Sequence, residues 1–244
     1  MLTAISPIDG RYASKTEPLQ EYFSEFALIK YRVFIEIEYF IALCEIPLPQ
    51  LSDFDPLHFA DLRRIINRLD ENEAAKIKAI ERTTNHDVKA VEYYLKDQFD
   101  ELGFGKYKEF IHFGLTSQDI NNTAIPLSLK HAIDHVLLPN LEQVHDKICY
   151  IINQWKDVPM LSRTHGQPAS PTLVGKEMKV FIARIKEQVR QLENVPIRAK
   201  LGGATGSFNA HVVAYPTIDW HSFANDFIED RLELSRAYPT TQIE

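Results

Sequence analysis

Leu137, Leu141, Val144, Ile148, Ile151 and Trp155 return at steps of four and three without a break. Such spacing puts every one of these apolar side chains on a single face of an α-helix. Ile120, Ala124 and Leu127 lead into the stripe, so the pattern predicts a helix over about 117–156, bent by Pro126 and Pro139. At ~1.5 Å of rise per residue it far exceeds the ~10–14 residues of an average globular helix. Val174, Met178, Ile182, Ile185, Val189 and Leu192 predict a second long helix over 172–193. Helices of this length bury their stripes by lying side by side. The expected fold is therefore all-α, with a long-helix bundle of the kind often completed across a subunit interface.

Upstream, the helices are shorter. Tyr22, Phe26, Ile29, Val33, Ile37, Phe40 and Cys44 mark one amphipathic helix, ended by Pro47 and Pro49. Asp55-Pro56 is a helix start followed by Phe59, Leu62, Ile65, Ile66 and Leu69. Ala74, Ile77 and Ile80 form a third stripe. Val88, Val91, Leu95 and Phe99 form a fourth, after the break at Asn85-His86-Asp87. Gly103 and Gly105 then punctuate the chain. The change of character places a boundary near residue 110, giving an N-terminal helical domain (1–110) and part of a central bundle domain (111–244). Phe223, Phe227, Ile228 and Leu232 add a last helix, and strand alternation is nearly absent.

A hydrophobic fraction of 45% with 25% charged residues is that of a soluble globular protein. The net charge of −7 argues against nucleic acid or an anionic membrane as partner, both of which call for a basic face. An anionic small molecule would have to meet local positive charge. Cys44 and Cys149 both fall in apolar stripes, which favours buried free thiols over a disulfide. No apolar run approaches the ~18–20 residues that span a bilayer. The first residues, Met1-Leu2-Thr3-Ala4-Ile5-Ser6-Pro7, lack the plan of a signal peptide, so the expected location is cytoplasmic.

Several polar words interrupt the helices. Ser162-Arg163-Thr164-His165-Gly166-Gln167-Pro168-Ala169 sets a histidine on a break between the two longest stripes. For a histidine alone, a plain polar turn would be the better account. A second cluster, Thr83-Thr84-Asn85-His86-Asp87, sits at another helix start, with Asn85 or Asp87 as its cap. Thr116-Ser117-Gln118-Asp119 approximates a capping box, and a helix start of that kind also offers N–H groups and hydroxyls to a carboxylate or phosphate. Gly202-Gly203-Ala204-Thr205-Gly206-Ser207 lacks the Lys-Ser or Lys-Thr pair of a phosphate-binding loop, and no strand precedes it, so it reads as a tight backbone passage. Arg11-Tyr12, after the turn Pro7-Ile8-Asp9-Gly10, is either an exposed loop or a phosphate clamp. Neither metal-ligand spacing nor a nucleophilic triad is present.

Taken together, the words resemble those of the adenylosuccinate lyases, within the fumarase/aspartase superfamily. The resemblance is carried by Ser6-Pro7-Ile8-Asp9-Gly10-Arg11-Tyr12 and by the run from Glu81-Arg82-Thr83-Thr84-Asn85-His86-Asp87 to Tyr93. Phe110-Ile111-His112-Phe113, Thr116-Ser117, the 162–169 stretch, Asn209-Ala210-His211 and Pro239-Thr240-Thr241-Gln242-Ile243-Glu244 continue it in family order. It implies β-elimination of fumarate from adenylosuccinate, giving AMP, and from succinylcarboxamide ribotide, giving its aminoimidazole product, with no cofactor and no metal. A base removes a proton next to a carboxylate, and an acid protonates the departing nitrogen. Preorganised donors must meet the charge that builds on the carboxylate.

By resemblance His165 is the proton donor to the leaving nitrogen, a task suited to a side chain of unperturbed pKa ~6.5. His86 is a second active-site histidine that binds or orients substrate, and Asn85 and Asp87 share that role. Arg11 and Tyr12 match phosphate contacts. Thr116 and Ser117 match hydroxyls that hold the succinyl carboxylate, while Thr164 and Gln242 match further substrate contacts. Lys89 and Arg163 fit either substrate or neighbouring carboxylates.

The family's base is a serine in a word close to Ser-Ser-x-Met-Pro-x-Lys-x-Asn, which is absent here. The chain is therefore expected to be an N-terminal portion of such an enzyme, inactive alone, from a homotetramer with shared active sites. An assembly module without turnover is the alternative from another class. A sister lyase acting on argininosuccinate, fumarate or aspartate is a third possibility. Those substrates carry no nucleotide phosphate and need no Arg11-Tyr12 clamp.

Overall fold

A computed structural model describes residues 3–243; Met1, Leu2 and Glu244, the last residue of the final family word, lie outside the described residues. The chain divides into two compact units. One runs to Lys130 and resumes at Ile197, and the other is His131–Pro196.

The first unit is built around α1 (Glu25–Cys44), which α2 (Phe59–Arg68), α3 (Glu71–Thr84) and α4 (Asp87–Glu101) pack against. Apolar residues on nearly every side of α1 are buried, including Ile29, Val33, Ile35, Tyr39, Phe40, Ile41 and Leu43, as befits a central helix. Phe40 meets Phe54 and Phe99 edge-to-face at centroid distances of 5.3 and 4.8 Å. The helix starts later than its stripe suggested. Ser24 turns the backbone extended and its hydroxyl accepts from the Ala27 N–H, leaving Tyr22 in a separate turn, Gln20–Phe23. Asp55 caps the turn Pro56–His58 ahead of α2, as expected.

α5 (Ser117–Ala132) and α6 (Leu138–Gln154) are joined by a π-helical turn, Ile133–Leu137. The expected long helix is thus helical almost throughout, with Pro126 inside α5 and Pro139 in the first turn of α6. A proline at 139 cannot donate to the carbonyl four residues back, and the wider turn lies just ahead of it.

The polar break of 162–169 is not the simple inter-helix turn expected. β1 (Pro159–Thr164) and β2 (Gln167–Leu173) form an antiparallel ribbon, with Thr164 paired to Gln167. His165 and Gly166 make its two-residue tip, both with positive φ, 52° and 75°. That conformation follows the strand twist and closes a tight hairpin. The following helix, α7 (Val174–Glu193), accordingly starts later than residue 172.

α6 and α7 pack together within the second unit. Gly175 lets them meet, since a Cβ there would stand 2.6 Å from the Lys156 Cα. Ala132 and Ile152 are this unit's only buried hydrophobic side chains among the described residues. Leu137, Val144, Trp155 and Phe181 are more than two-fifths exposed, so the long stripes lie largely open.

The first unit resumes with β3 (Arg198–Ala199), α8 (Asn209–Ala214), α9 (Trp220–Asn225) and β4 (Ser235–Arg236), with β3 and β4 paired in parallel. Leu201, Phe208, Trp220, Phe223 and Phe227 return this segment to the core around α1. Cys44 and Cys149 are free and half-buried.

Candidate active site

The start of α5 organises the first unit's polar residues. Asp119 accepts the Thr116 N–H at 2.8 Å, and its own N–H reaches the Thr116 carbonyl at 2.9 Å. The carboxylate arm of the expected capping box is therefore present. The same carboxylate, fully buried, takes the Gly202 N–H at 2.9 Å, the Gly203 N–H at 3.1 Å and the Lys200 ammonium at 2.7 Å. Lys200 is also fully buried and donates to the Gly203 carbonyl at 2.7 Å. These glycine N–H groups serve an internal carboxylate rather than a phosphate, although the short strand β3 precedes the segment where the sequence shows none.

Gly206, at φ 77°, lies directly under the Thr240 carbonyl, where a Cβ would overlap it. The glycine segment thus seats the stretch that carries Gln242. The Gln242 Nε2 donates to the Thr116 Oγ1 at 3.2 Å, across a separation of 126 residues. Two residues singled out from the sequence are brought together here.

A second cluster lies between α3 and α4. Asn85, left-handed at φ 53°, closes α3, a conformation asparagine tolerates. His86 caps α4, in place of the Asn85 or Asp87 cap expected from sequence. Its Nδ1 accepts the Lys89 N–H at 3.2 Å, which in the neutral ring leaves the proton on Nε2. The ring is 47% exposed, with that N–H free to meet a ligand's acceptor. Asp87 accepts from its neighbour, Val88 N–H, at 2.8 Å and from the Arg32 guanidinium at 2.5 Å. Arg32 also donates through Nε to the Asn121 Oδ1 at 2.9 Å, tying the His86 segment to α5. Lys89 pairs with Glu92 and lies over the Tyr93 ring, the neighbouring-carboxylate option left open for it.

Two further histidines stand in the family words, His112 half-buried and His211 fully buried. His112, left-handed at φ 61°, holds Glu36 Oε1 at 2.6 Å through Nδ1. Burial lowers its pKa, but the Glu36 carboxylate, with Glu92 behind it, more than offsets this and the net shift is upward. Tyr39 donates to the Phe113 carbonyl at 2.8 Å, so His211 satisfies the phenol oxygen by donating from Nε2, also at 2.8 Å. The His211 Nδ1 is buried with no partner. Burial pulls this histidine down to about 4, with Asp119 opposing and Lys200 assisting.

The sign of that shift gives a prediction. The unfolded chain takes up the proton below pH 6.5, whereas the folded imidazole resists it until about 4. His211 therefore supports the fold fully above 6.5 and loses about 3 kcal/mol of stability as pH falls through that window. Carboxylates titrate nearby, so the measurement is the difference in acid sensitivity of urea midpoints between wild type and His211→Gln. Equal sensitivity would remove His211 from the account.

Arg11 and Tyr12 follow a turn closed by Tyr12 N–H to the Pro7 carbonyl at 2.9 Å. Both are exposed, with the guanidinium 5.3 Å from the ring centroid. In the second unit, Arg163, Thr164 and His165 are exposed at the ribbon's end. Arg32 stands in none of the polar words that mark the other site residues. Its signal is a charge, like Glu36 and Glu38, on a helix with apolar residues on nearly every side.

A lyase family model (Lyase_1) matches residues 10–237, and the chain belongs to that family. It is 53% identical to the adenylosuccinate lyase of Dictyostelium discoideum over 255 residues, covering 100% of this chain and 54% of that protein. It is 48% identical to the adenylosuccinate lyase of Vibrio cholerae and 46% identical to that of Escherichia coli, again covering 100% of this chain and 54% of each relative. The chain thus spans about half the length of the curated relatives it matches. Among solved structures, a fumarate lyase from Mesorhizobium superposes with a TM-score of 0.70 at 19% identity, over 92% of this chain and 49% of the other. A β-carboxy-cis,cis-muconate cycloisomerase from Acinetobacter calcoaceticus gives 0.68 at 21%, over 92% and 50%. The all-α, fumarase/aspartase-like fold expected from sequence is borne out. No helix among the described residues is long and apolar enough to cross a membrane.

Proposed function

We propose that this chain is part of an enzyme that eliminates fumarate from succinylated purine nucleotides, adenylosuccinate and succinylcarboxamide ribotide. The observation that carries it is the meeting of Gln242 with Thr116 at the start of α5, beside the Arg32 link to the His86 segment. A helix start bearing hydroxyls suits a carboxylate or phosphate. In this reading Thr116, Ser117 and Gln242 hold the succinyl part. His86 donates its Nε2–H to an anionic oxygen, and Asn85 and Asp87 border the same substrate. Arg11 and Tyr12 take the nucleotide phosphate, Thr164 adds a contact, and His165 protonates the departing nitrogen. No cofactor or metal takes part.

The serine base is contributed from outside these residues, in a homotetramer with shared sites that works in the cytoplasm. A domain boundary near residue 110 belongs to the whole enzyme, where further helices cover the open stripes of α6 and α7. The test is fumarate release from adenylosuccinate, by this chain alone and by the longest protein that contains it. Turnover by the longer protein and none by the chain is expected. Failure of both leaves the assembly module, which the open stripes favour. Turnover of argininosuccinate instead would select the sister lyase.

A further inference from the structure

Arg32 is a buried charge with two acceptors, one at the start of α4 and one in the second turn of α5. Its side chain is 6% exposed, on α1, whose neighbouring positions Ile29 and Val33 belong to the core. The guanidinium reaches the Asp87 Oδ2, one residue after His86, and through Nε the Asn121 Oδ1, one turn beyond Ser117. Burying such a cation costs several kcal/mol unless its acceptors are well placed, and an apolar residue would fill a helix core for less. A planar fork with two fixed directions sets a distance between its partners, which the point charge of a lysine cannot do.

We propose that Arg32 is a positioning residue that holds the His86–Asp87 helix start at a set distance from the Thr116–Ser117 helix start, so that one substrate is gripped from both. It acts through Asp87 and Asn121 and does not itself touch the reacting atoms. This rests on the function proposed above, and the test keeps the two apart.

In the full-length protein, Arg32→Gln is expected to lower kcat/KM for fumarate release by about tenfold or more, the scale of a lost alignment. Arg32→Lys recovers only part of it. The double variant Arg32→Gln/Asp87→Asn is no worse than the poorer single variant, because both break one linkage. A residue that merely supports the fold would lower the melting temperature while the folded protein kept its kcat/KM. A second readout needs no turnover: ring 15N spectra of His86 should show the Nε2–H form in wild type and a mixture of tautomers in Arg32→Gln. A wild type that releases no fumarate, together with that spectral change, overturns the proposed function and leaves the clamp standing. An active wild type, with Arg32→Gln unchanged in both kcat/KM and His86 spectrum, overturns the clamp. If Arg32→Gln does not fold, Asn121→Ala removes one acceptor only and is read by the same two measurements.

Discussion

Asp119→Ala is expected to destabilise the protein by about 3–5 kcal/mol, a large part of the ~5–15 kcal/mol that holds a typical domain together. The physical cause is what it leaves behind. Lys200 is fully buried with its ammonium 2.7 Å from this carboxylate, and without it the charge faces the core with only the Gly203 carbonyl. The N–H groups of Thr116, Gly202 and Gly203 lose their acceptor at the same moment. An unsatisfied buried donor adds its own desolvation cost. Asp119→Asn, nearly isosteric, keeps an acceptor but sets an amide against an ammonium, and should fall between alanine and wild type.

The decisive comparison is a double variant. Lys200→Met alone strands the carboxylate, but Lys200→Met combined with Asp119→Asn removes both charges and should recover much of the loss. Urea unfolding of the singles and the double gives the coupling directly. Strict additivity would mean that the pair contributes nothing as a pair. The α5 start would then owe its order to the surrounding core of Ile120, Ala124 and Leu201.

That hub shows where sequence alone stops. Thr116 and Asp119 are legible as a helix start because the cap is local, three residues apart. Lys200 and the glycine segment are not legible as its partners, because a contact across 83 residues leaves no periodicity behind. The same holds for Gln242 on Thr116 and for Arg32 between Asp87 and Asn121. Long helices are legible in their middle turns, since a stripe at steps of three and four repeats over several turns, but the starts of α1 and α7 are not. The ribbon of β1 and β2 is not legible either. Its residues are mostly exposed on both faces, so no apolar alternation marks it, and Pro168 and Pro171 argue against a strand. The His86 cap was misplaced by one residue because a histidine ring can accept as an aspartate does, through a nitrogen that composition does not advertise. The chemistry expected of the site residues rests on resemblance to family words, because helical periodicity carries no information about it.

His165→Asn in the full-length enzyme is expected to lower kcat by about 10²–10⁴, the range of general acid–base catalysis, with little change in melting temperature. Asparagine is chosen for the backbone. His165 stands at φ 52° beside Gly166 at φ 75°, and asparagine adopts this left-handed conformation more readily than most residues. The side chain is exposed in this chain, so its removal opens no cavity there. Fold and chemistry are thereby separated, which an alanine at a positive-φ tip would confound. Added imidazole should restore part of the rate if a proton is what the variant lacks. An opposite pattern, with kcat intact and KM raised, would make His165 a binding group and move the acid elsewhere. His112, half-buried against Glu36 with its pKa raised, would then be the next imidazole to test. Full activity in His165→Asn would defeat the assignment outright, because a leaving nitrogen expelled without its proton must carry a negative charge that this site would then have to stabilise by other means.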